Sequence, residues 1–191
     1  MKIILALIIL FWAVGASGAA PDPGTLSAAE KALIESAYQG QLERIQGLAA
    51  KGTAVDAADD KGRTALMWAA LRGHAPVAEF LVEKGADVDK ADNDGQTALT
   101  YACRGSSTEV ARLLLQKGAK VDVQSQKQRF TPLIAAAAVG NLDIVRLLLA
   151  NGADASIEDR DGVTAEQFAT ERGFPAIAEL LQNPPAPASE P

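Results

Sequence analysis

The segment Thr64-Ala-Leu-Met-Trp-Ala-Ala70 decides the fold, because the same pattern returns three more times farther along the chain. Each copy begins with a threonine and places small or apolar residues at helical spacing behind it. The copies are Thr97-Ala-Leu-Thr-Tyr-Ala-Cys103, Thr131-Pro-Leu-Ile-Ala-Ala-Ala137 and Thr164-Ala-Glu-Gln-Phe-Ala-Thr170. Their starting positions lie 33 or 34 residues apart. A period of this length is typical of a stack of repeated structural units.

Within each period the residues predict two short helices. Thr64 is placed to cap the first helix, because a threonine side chain accepts hydrogen bonds from the free amides of the first turn. Val77, Phe80 and Leu81 form the apolar stripe of the second helix. Gly85 follows, and it ends that helix in the left-handed conformation that glycine adopts at little cost. Because one helix pair cannot bury its apolar face alone, the fold depends on the stacking of neighbouring units.

The full pattern resembles the ankyrin repeat family. The family motif Asp-x-x-Gly-x-Thr-Pro-Leu, followed by spaced Ala, Gly, Val, Leu-Leu and Gly-Ala-Asp, is met at most positions in three consecutive units and more weakly at both ends. The resemblance implies an all-α solenoid of stacked helix-turn-helix units joined by short β-hairpin-like loops. It covers residues 27–182, and the two end units resemble polar caps. The predicted units are 27–59, 60–92, 93–125, 126–159 and 160–182.

This sequence departs from the family pattern in four ways. No unit has the histidine that normally follows Thr-Pro-Leu, so we expect the hydrogen bond of that histidine to be missing. The residues in its place are Met67, Thr100, Ile134 and Gln167. In the first unit Lys31 stands in place of the capping threonine. The third loop, 123–130, is one residue longer than the others and lacks their glycine, and Ser106 stands where two other units have glycine.

The first twenty residues predict export. Lys2 is followed by an apolar stretch up to Val14 and by small residues up to Ala20, which is the order of a secretory signal peptide. The apolar stretch is shorter than the roughly 20 residues that span a bilayer. We expect a signal peptide over 1–20 and a linker over 21–26, with cleavage after Gly18 or Ala19, or an uncleaved anchor, as the alternatives.

Two further features of the sequence concern the destination of the chain and its last residues. The sequence contains no Asn-x-Ser/Thr glycosylation acceptor, which favours a bacterial periplasmic location over a glycosylated secretory one. The last segment, 183–191, is rich in proline and predicts an extended or disordered tail. Binding of a partner through a polyproline II conformation is the alternative for this tail.

The charge and the rare residue types exclude several classes of function. The chain has a formal net charge of −6, which repels phosphate backbones, so nucleic acid is not an expected partner. Without a run of like charges, we also expect no membrane contact after signal cleavage. One cysteine and one histidine cannot build the usual zinc sites. We therefore predict that the protein binds no metal or cofactor. We also expect it to be a monomer.

The residue types that could carry chemistry have structural explanations in this pattern. His74 follows a glycine at the start of a second helix, where a turn residue is expected. Cys103 occupies a position that is alanine in other units, so we expect a buried thiol. The segment Asp92-Asn-Asp-Gly95 contains part of a calcium-loop pattern but lacks the glutamate that completes it. A hydrolase-like enzyme is a further alternative, although no paired nucleophile and base are recognisable in the sequence.

The resemblance implies a concave face built from loop tips and first-helix residues, where a partner protein would bind. Mapped by repeat position, this face also includes Ala138 and Val139, and it collects aromatic and arginine side chains, which are enriched at binding hot spots. The alternative is that Trp68 and Tyr101 are packing residues and that the arginines only confer solubility. The predicted binding residues are Lys61, Arg63, Trp68, Leu71, Arg72, Asn93, Asp94, Gln96, Tyr101, Arg104, Lys127 and Arg129.

From these observations we expect a non-catalytic scaffold in the periplasm that binds, and thereby stabilises, another exported protein. The alternative is an inhibitor or immunity-type protein that blocks a toxin or an enzyme. The activity of the partner, measured with and without this protein, separates the two hypotheses.

Overall fold

The computed structural model describes residues 26–183, which form ten helices in five consecutive pairs. The predicted signal peptide and nearly all of the predicted linker and tail lie outside these residues. The helices are α1 Ala28–Gln39, α2 Leu42–Ala50, α3 Ala65–Arg72, α4 Ala75–Glu83, α5 Ala98–Arg104, α6 Thr108–Gln116, α7 Pro132–Val139, α8 Leu142–Ala150, α9 Ala165–Glu171 and α10 Pro175–Gln182. None of these ten helices has both the length and the apolar character that a membrane span requires.

The first helices of the five pairs form one layer and the second helices form another. Neighbouring first helices pack much more closely than neighbouring second helices. This difference in spacing curves the stack, so the first helices lie on its concave side. The predicted all-α solenoid is confirmed, and in the described residues its loops contain one isolated β-bridge, between Ala58 and Thr64, in place of longer strands.

Equivalent leucines build the core from one unit to the next. In each of the first four units, one leucine of the first helix is at most 1% exposed, whereas the last unit has the polar residue Glu166 at the equivalent position. These leucines are Leu33, Leu66, Leu99 and Leu133. A second set, in the second helices, consists of Leu81, Leu114, Leu148 and Leu181. The core is therefore continuous along the stack and depends on contacts between neighbouring units.

Most of the predicted threonine caps are present. The hydroxyls of Thr64, Thr131 and Thr164 each accept a hydrogen bond from the amide three residues later. Thr97 is the exception, because its buried hydroxyl has no partner among the described residues.

The first unit differs from the predicted register at its start. Helix α1 begins before Lys31, because Ser27 and Glu30 form a reciprocal capping box ahead of it. The capping function expected at position 31 is therefore carried by Ser27. This capping box lengthens α1 relative to the first helices of the other units.

Two replacements of the family histidine supply a hydrogen bond of their own. Gln167 Oε1 accepts from the Thr164 amide at 2.9 Å, and Met67 Sδ lies 3.4 Å from the Thr64 amide, as a weaker acceptor. The expected loss of this bond is therefore wrong for the second and fifth units. The reason is that both side chains are long enough to reach back to the amide of the cap.

The loops between units turn around a buried or partly buried polar residue. In the loop after α2, Asp59 Oδ1 accepts from the amides of Lys61 and Arg63, and Asp92 and Asp159 do the same in their loops. The longer third loop is built differently. Its Ser125 hydroxyl accepts from the amide of Phe130, and Arg129 adopts the left-handed conformation, with φ 56°, that glycine adopts in the other loops.

Asp122→Asn is expected to stabilise the fold slightly at neutral pH. The Asp122 carboxylate accepts from the amide of Asp154 at 3.2 Å, and burial, with a further contribution from the Asp154 charge, raises the pKa of Asp122. A raised folded-state pKa means that the ionised form costs stability at about pH 7, and this cost disappears as the pH falls below the ordinary value, 3.8. Because Asp122 is partly exposed, solvent screens much of this cost, so we expect urea titrations at about pH 7 to show only a small gain, which is absent at about pH 3.

The control is Asp89→Asn, which changes the equivalent position of the second unit. The Asp89 carboxylate accepts from the Lys120 amide and lies 3.8 Å from the Lys120 ammonium group. Its neutralisation removes an attraction rather than a repulsion, so no gain is expected at either pH. An equal gain from both variants would contradict the assignment.

Candidate functional site

A groove of about 780 Å³ opens on the concave side at the first three helix pairs. We call it the aromatic groove. Side chains from the first two units provide most of its wall, and Gly105 of the third unit completes it. The lining residues are Ile34, Glu35, Tyr38, Asp59, Arg63, Trp68, Leu71, Arg72 and Gly105.

Three aromatic rings from consecutive units follow one another along this side. Tyr38 and Trp68 meet edge to face with their ring centroids 5.3 Å apart, and Tyr101 lies 6.5 Å beyond Trp68. Tyr38 is 40% exposed and Trp68 is partly exposed, whereas Tyr101 is only 7% exposed. The first two rings therefore present aromatic surface to a partner, and the third supports Trp68 from inside the fold.

An arginine lies over each of these rings. The guanidinium carbon of Arg63 is 4.4 Å from the Trp68 ring, and that of Arg72 is 4.9 Å from the Tyr38 ring. Arg104 lies farther from Tyr101, at 5.9 Å. Stacking over an aromatic face attracts the cation to the ring and limits the motion of both side chains.

Asp59 fixes the position of Arg63. Its Oδ2 atom lies 2.7 Å from Nη2 and 2.8 Å from Nε of Arg63. Burial acts to raise the pKa of Asp59, but the hydrogen bonds from Arg63 and Lys61, together with the charge of Arg63, outweigh it, so the pKa is lowered. The same contact raises the pKa of Arg63. Arg72 differs, because no carboxylate pairs with it within residues 26–183.

Tyr101 does not lie on the surface at which it was predicted to bind. Its hydroxyl donates a hydrogen bond of 2.8 Å to Asp92 Oδ2, and the ring is buried between units. Burial, followed by this hydrogen bond, raises the pKa of Tyr101 and keeps its phenol protonated. Tyr101 therefore packs inside the fold, where it contacts Trp68 and Asp92.

A second, smaller pocket of about 330 Å³ lies farther along the concave side, where residues of the third, fourth and fifth units meet. We call it the second pocket. It combines an apolar wall with charged and amide side chains. The lining residues are Asp94, Gln96, Thr100, Arg104, Ser125, Gln128, Phe130, Ala135, Ala138, Val139 and Arg172.

The twelve predicted binding residues fall into four groups. Arg63, Trp68, Leu71 and Arg72 line the aromatic groove. Asp94, Gln96 and Arg104 line the second pocket. Tyr101 is buried, and the remaining four residues lie in the loops outside both sets of lining residues. These four are Lys61, Asn93, Lys127 and Arg129.

The loop residues have structural contacts of their own. The Asn93 side chain donates to the Asp60 carbonyl, and the Lys127 amide donates to Asp94 Oδ1. Arg129 Nη2 lies 3.4 Å from Gln124 Oε1 within its own loop. These contacts join one loop to the next or stabilise a single loop, whereas Lys61 is exposed at a loop tip.

The first unit is part of the site, although the predicted binding residues include none of its side chains. Tyr38, Ile34 and Glu35 all line the aromatic groove, and none of them was predicted there. The signal was present, because Tyr38 lies one period before Leu71, which was predicted. The weak match of the first unit to the repeat pattern concealed this equivalence.

The residues that could carry chemistry take part in packing and backbone contacts. Burial raises the pKa of the Cys103 thiol, which is 0% exposed. His74 Nε2 lies 3.1 Å from the carbonyl of Tyr38 and links the second unit to the first. Among residues 26–183 no group of three or more His, Cys, Asp and Glu side chains is arranged to hold a metal ion.

Comparison with known protein families identifies a repeat family. A family model described as ankyrin repeats (3 copies) matches residues 33–125 and again residues 121–187. The two matches cover most of the chain and include all residues that line the aromatic groove and the second pocket. Within the described residues the five helix pairs extend over the whole matched region up to position 183.

Proposed function

The chain belongs to the ankyrin repeat family, whose repeats form protein-protein interaction scaffolds, and we propose that it binds and stabilises another exported protein in the periplasm through its concave face. Domains of this family are typically non-catalytic. The buried Cys103 thiol and the backbone contact of His74 support a role in binding rather than in catalysis.

The observation that carries this proposal is the aromatic groove. Its exposed surface combines Trp68 and Tyr38 with two stacked arginines, and tryptophan, tyrosine and arginine dominate binding hot spots. Asp59 holds Arg63 in place before any partner arrives, which lowers the entropy that binding must remove. Asp59 neutralises Arg63, whereas Arg72 has no carboxylate partner among the described residues, so this fixed aromatic surface is suited to a protein partner that presents apolar groups and an acidic group beside them.

Trp68→Ala is expected to weaken binding of the partner by about 2 kcal/mol, or roughly thirtyfold. The partner is first captured from a periplasmic extract on the immobilised wild-type protein, identified by mass spectrometry and purified. Its dissociation constant is then measured by calorimetry for the wild type and the variant. Trp68 is the one tryptophan outside the predicted signal peptide, so its emission should also shift to the blue when the partner excludes water from the groove.

The matched control is Glu83→Lys. Glu83 is exposed at the end of α4, the second helix of its pair, and so lies away from the concave side. This variant should capture the same protein with unchanged affinity. If Glu83→Lys weakens binding and Trp68→Ala does not, the partner uses another face and the proposal is wrong. Addition of the protein to the purified partner then tests stabilisation directly, because a stabiliser preserves partner activity and an inhibitor abolishes it.

Export is tested by the N-terminal sequence of the protein recovered from a periplasmic fraction. We expect the mature chain to begin near Pro21, because the run of small residues ends at Ala20. Recovery of a chain that begins at Met1 in the membrane fraction would instead establish the uncleaved anchor.

A further inference from the structure

The second pocket plays no part in the proposal based on the aromatic groove. Phe130, Ala135 and Ala138 form its apolar wall, together with Val139, which is 44% exposed. Val139 and Tyr38 are the two exposed large hydrophobic residues among residues 26–183, and each lines one of the two depressions. The exposed apolar surface is therefore concentrated at these two places on the same side of the solenoid.

Two arginines beside this apolar wall have no carboxylate partner in the described residues. Arg104 Nη1 donates to Gln96 Oε1 at 2.8 Å, and Arg172 Nη1 lies 3.4 Å from the Ala138 carbonyl. The nearby carboxylate of Asp94 is already engaged by the backbone amide and the ammonium group of Lys127. The pocket therefore has a local positive charge, although the chain as a whole is acidic.

A buried hydroxyl adds an unused polar group to this site. Thr100 lines the pocket, is 1% exposed, and its Oγ1 atom has no hydrogen-bond partner among residues 26–183. A polar group that stays unpaired in the fold costs stability, and an occupant of the pocket can remove that cost by a hydrogen bond.

We propose that the second pocket binds an acidic segment of the partner protein. An apolar side chain of that segment packs against Phe130 and Val139, and an adjacent Asp or Glu carboxylate lies between Arg104 and Arg172. The volume, at the small end of the range for binding pockets, suits one large apolar side chain. Nucleic acid does not fit, because two arginines do not offset the repulsion of a chain with net charge −6.

This inference rests on the proposed function, because it names the chemistry of the same partner at a second place on the concave face. The inference also makes a prediction of its own, namely that recognition of the partner depends on Arg104, Arg172 and the apolar wall as well as on Trp68. The inference and the proposed function can be tested separately, because no residue lines both the aromatic groove and the second pocket.

The test uses a phage-displayed library of random linear dodecapeptides. Phage that bind the immobilised full mature chain are selected and sequenced. We expect enrichment of sequences in which Asp or Glu adjoins a large apolar residue. Synthetic versions of the enriched peptides are then titrated by calorimetry. Ala138→Phe, which fills the pocket, and the double variant Arg104→Glu/Arg172→Glu should each weaken their binding by about tenfold or more.

The controls make the same changes on the second-helix layer. Ala150→Phe adds the same ring at an exposed site, and Arg112→Glu/Arg146→Glu makes the same change in charge at two exposed arginines. Neither control should alter binding. When the library is selected on the Arg104→Glu/Arg172→Glu variant, the enriched peptides should carry basic residues in place of the acidic ones, because the charge of the pocket is reversed.

Each outcome supports or overturns the inference. Peptides that lose affinity with Ala138→Phe and with the double variant, but not with the controls, support it. Peptides that depend on Trp68 and tolerate both pocket variants overturn it and leave the proposed function intact. Enrichment without acidic residues, or equal enrichment on the wild type and on Ala138→Phe, also overturns it. Binding that is indifferent to Trp68 and to both pocket variants also overturns the inference, whereas the proposed function is decided separately by the affinity of the captured partner for the Trp68→Ala variant.

Discussion

Gly105→Ala is expected to destabilise the fold by about 3 kcal/mol. A Cβ atom at Gly105 would lie 2.0 Å from the carbonyl oxygen of Leu71 and 2.7 Å from its carbonyl carbon. Both are backbone atoms of the neighbouring first helix, so no side-chain rotation relieves the overlap. Because φ of Gly105 is −82°, an ordinary helical value, the cost comes from the close approach of two helices and not from backbone strain.

Gly47→Ala is the matched control, and its effect should have the opposite sign. Gly47 lies inside α2, an exposed position where a Cβ atom would meet no atom within 4 Å. Alanine has a higher helix propensity than glycine, so this variant should gain about 0.5–1 kcal/mol. Guanidinium titrations of the two variants measure both effects. A loss from Gly47→Ala, or no loss from Gly105→Ala, would contradict the packing described here.

Leu114→Ala is expected to lower the free energy of unfolding by about 2–5 kcal/mol, the usual cost of a cavity at a buried leucine. Leu114 is 0% exposed in α6, which packs between the second helices of the units before and after it. Neighbours on both sides hold the cavity open, so the structure cannot collapse around the missing atoms.

Leu181→Ala tests whether the cost depends on position along the stack. Leu181 occupies the equivalent position in α10, is 6% exposed, and has described helices on one side only. The end unit can relax or fray locally, so we expect less than half of the loss seen for Leu114→Ala. Equal losses in the same denaturant titrations would argue against a stack in which each unit contacts only its neighbours.

The sequence allowed much of the candidate site to be predicted, because repeat register determines which side of the stack a residue faces. Arg63, Trp68, Leu71 and Arg72 all line one groove, as their positions in the second unit indicated. The same rule, applied one period earlier, would have added Tyr38. Register could not reveal how much of each side chain remains exposed, which is why Tyr101 was predicted as a contact residue although it is buried.

The sequence by itself determined the architecture, since the 33- to 34-residue period, the capping threonines and the loop glycines are local signals that most units carry within their own residues. Only the tertiary structure decided where the binding surface opens. The groove and the second pocket depend on distances between units: Gly105 meets the backbone of Leu71, and Arg172 reaches the carbonyl of Ala138. Such distances are set by the packing of side chains that lie about one period apart in sequence, and no local pattern specifies them.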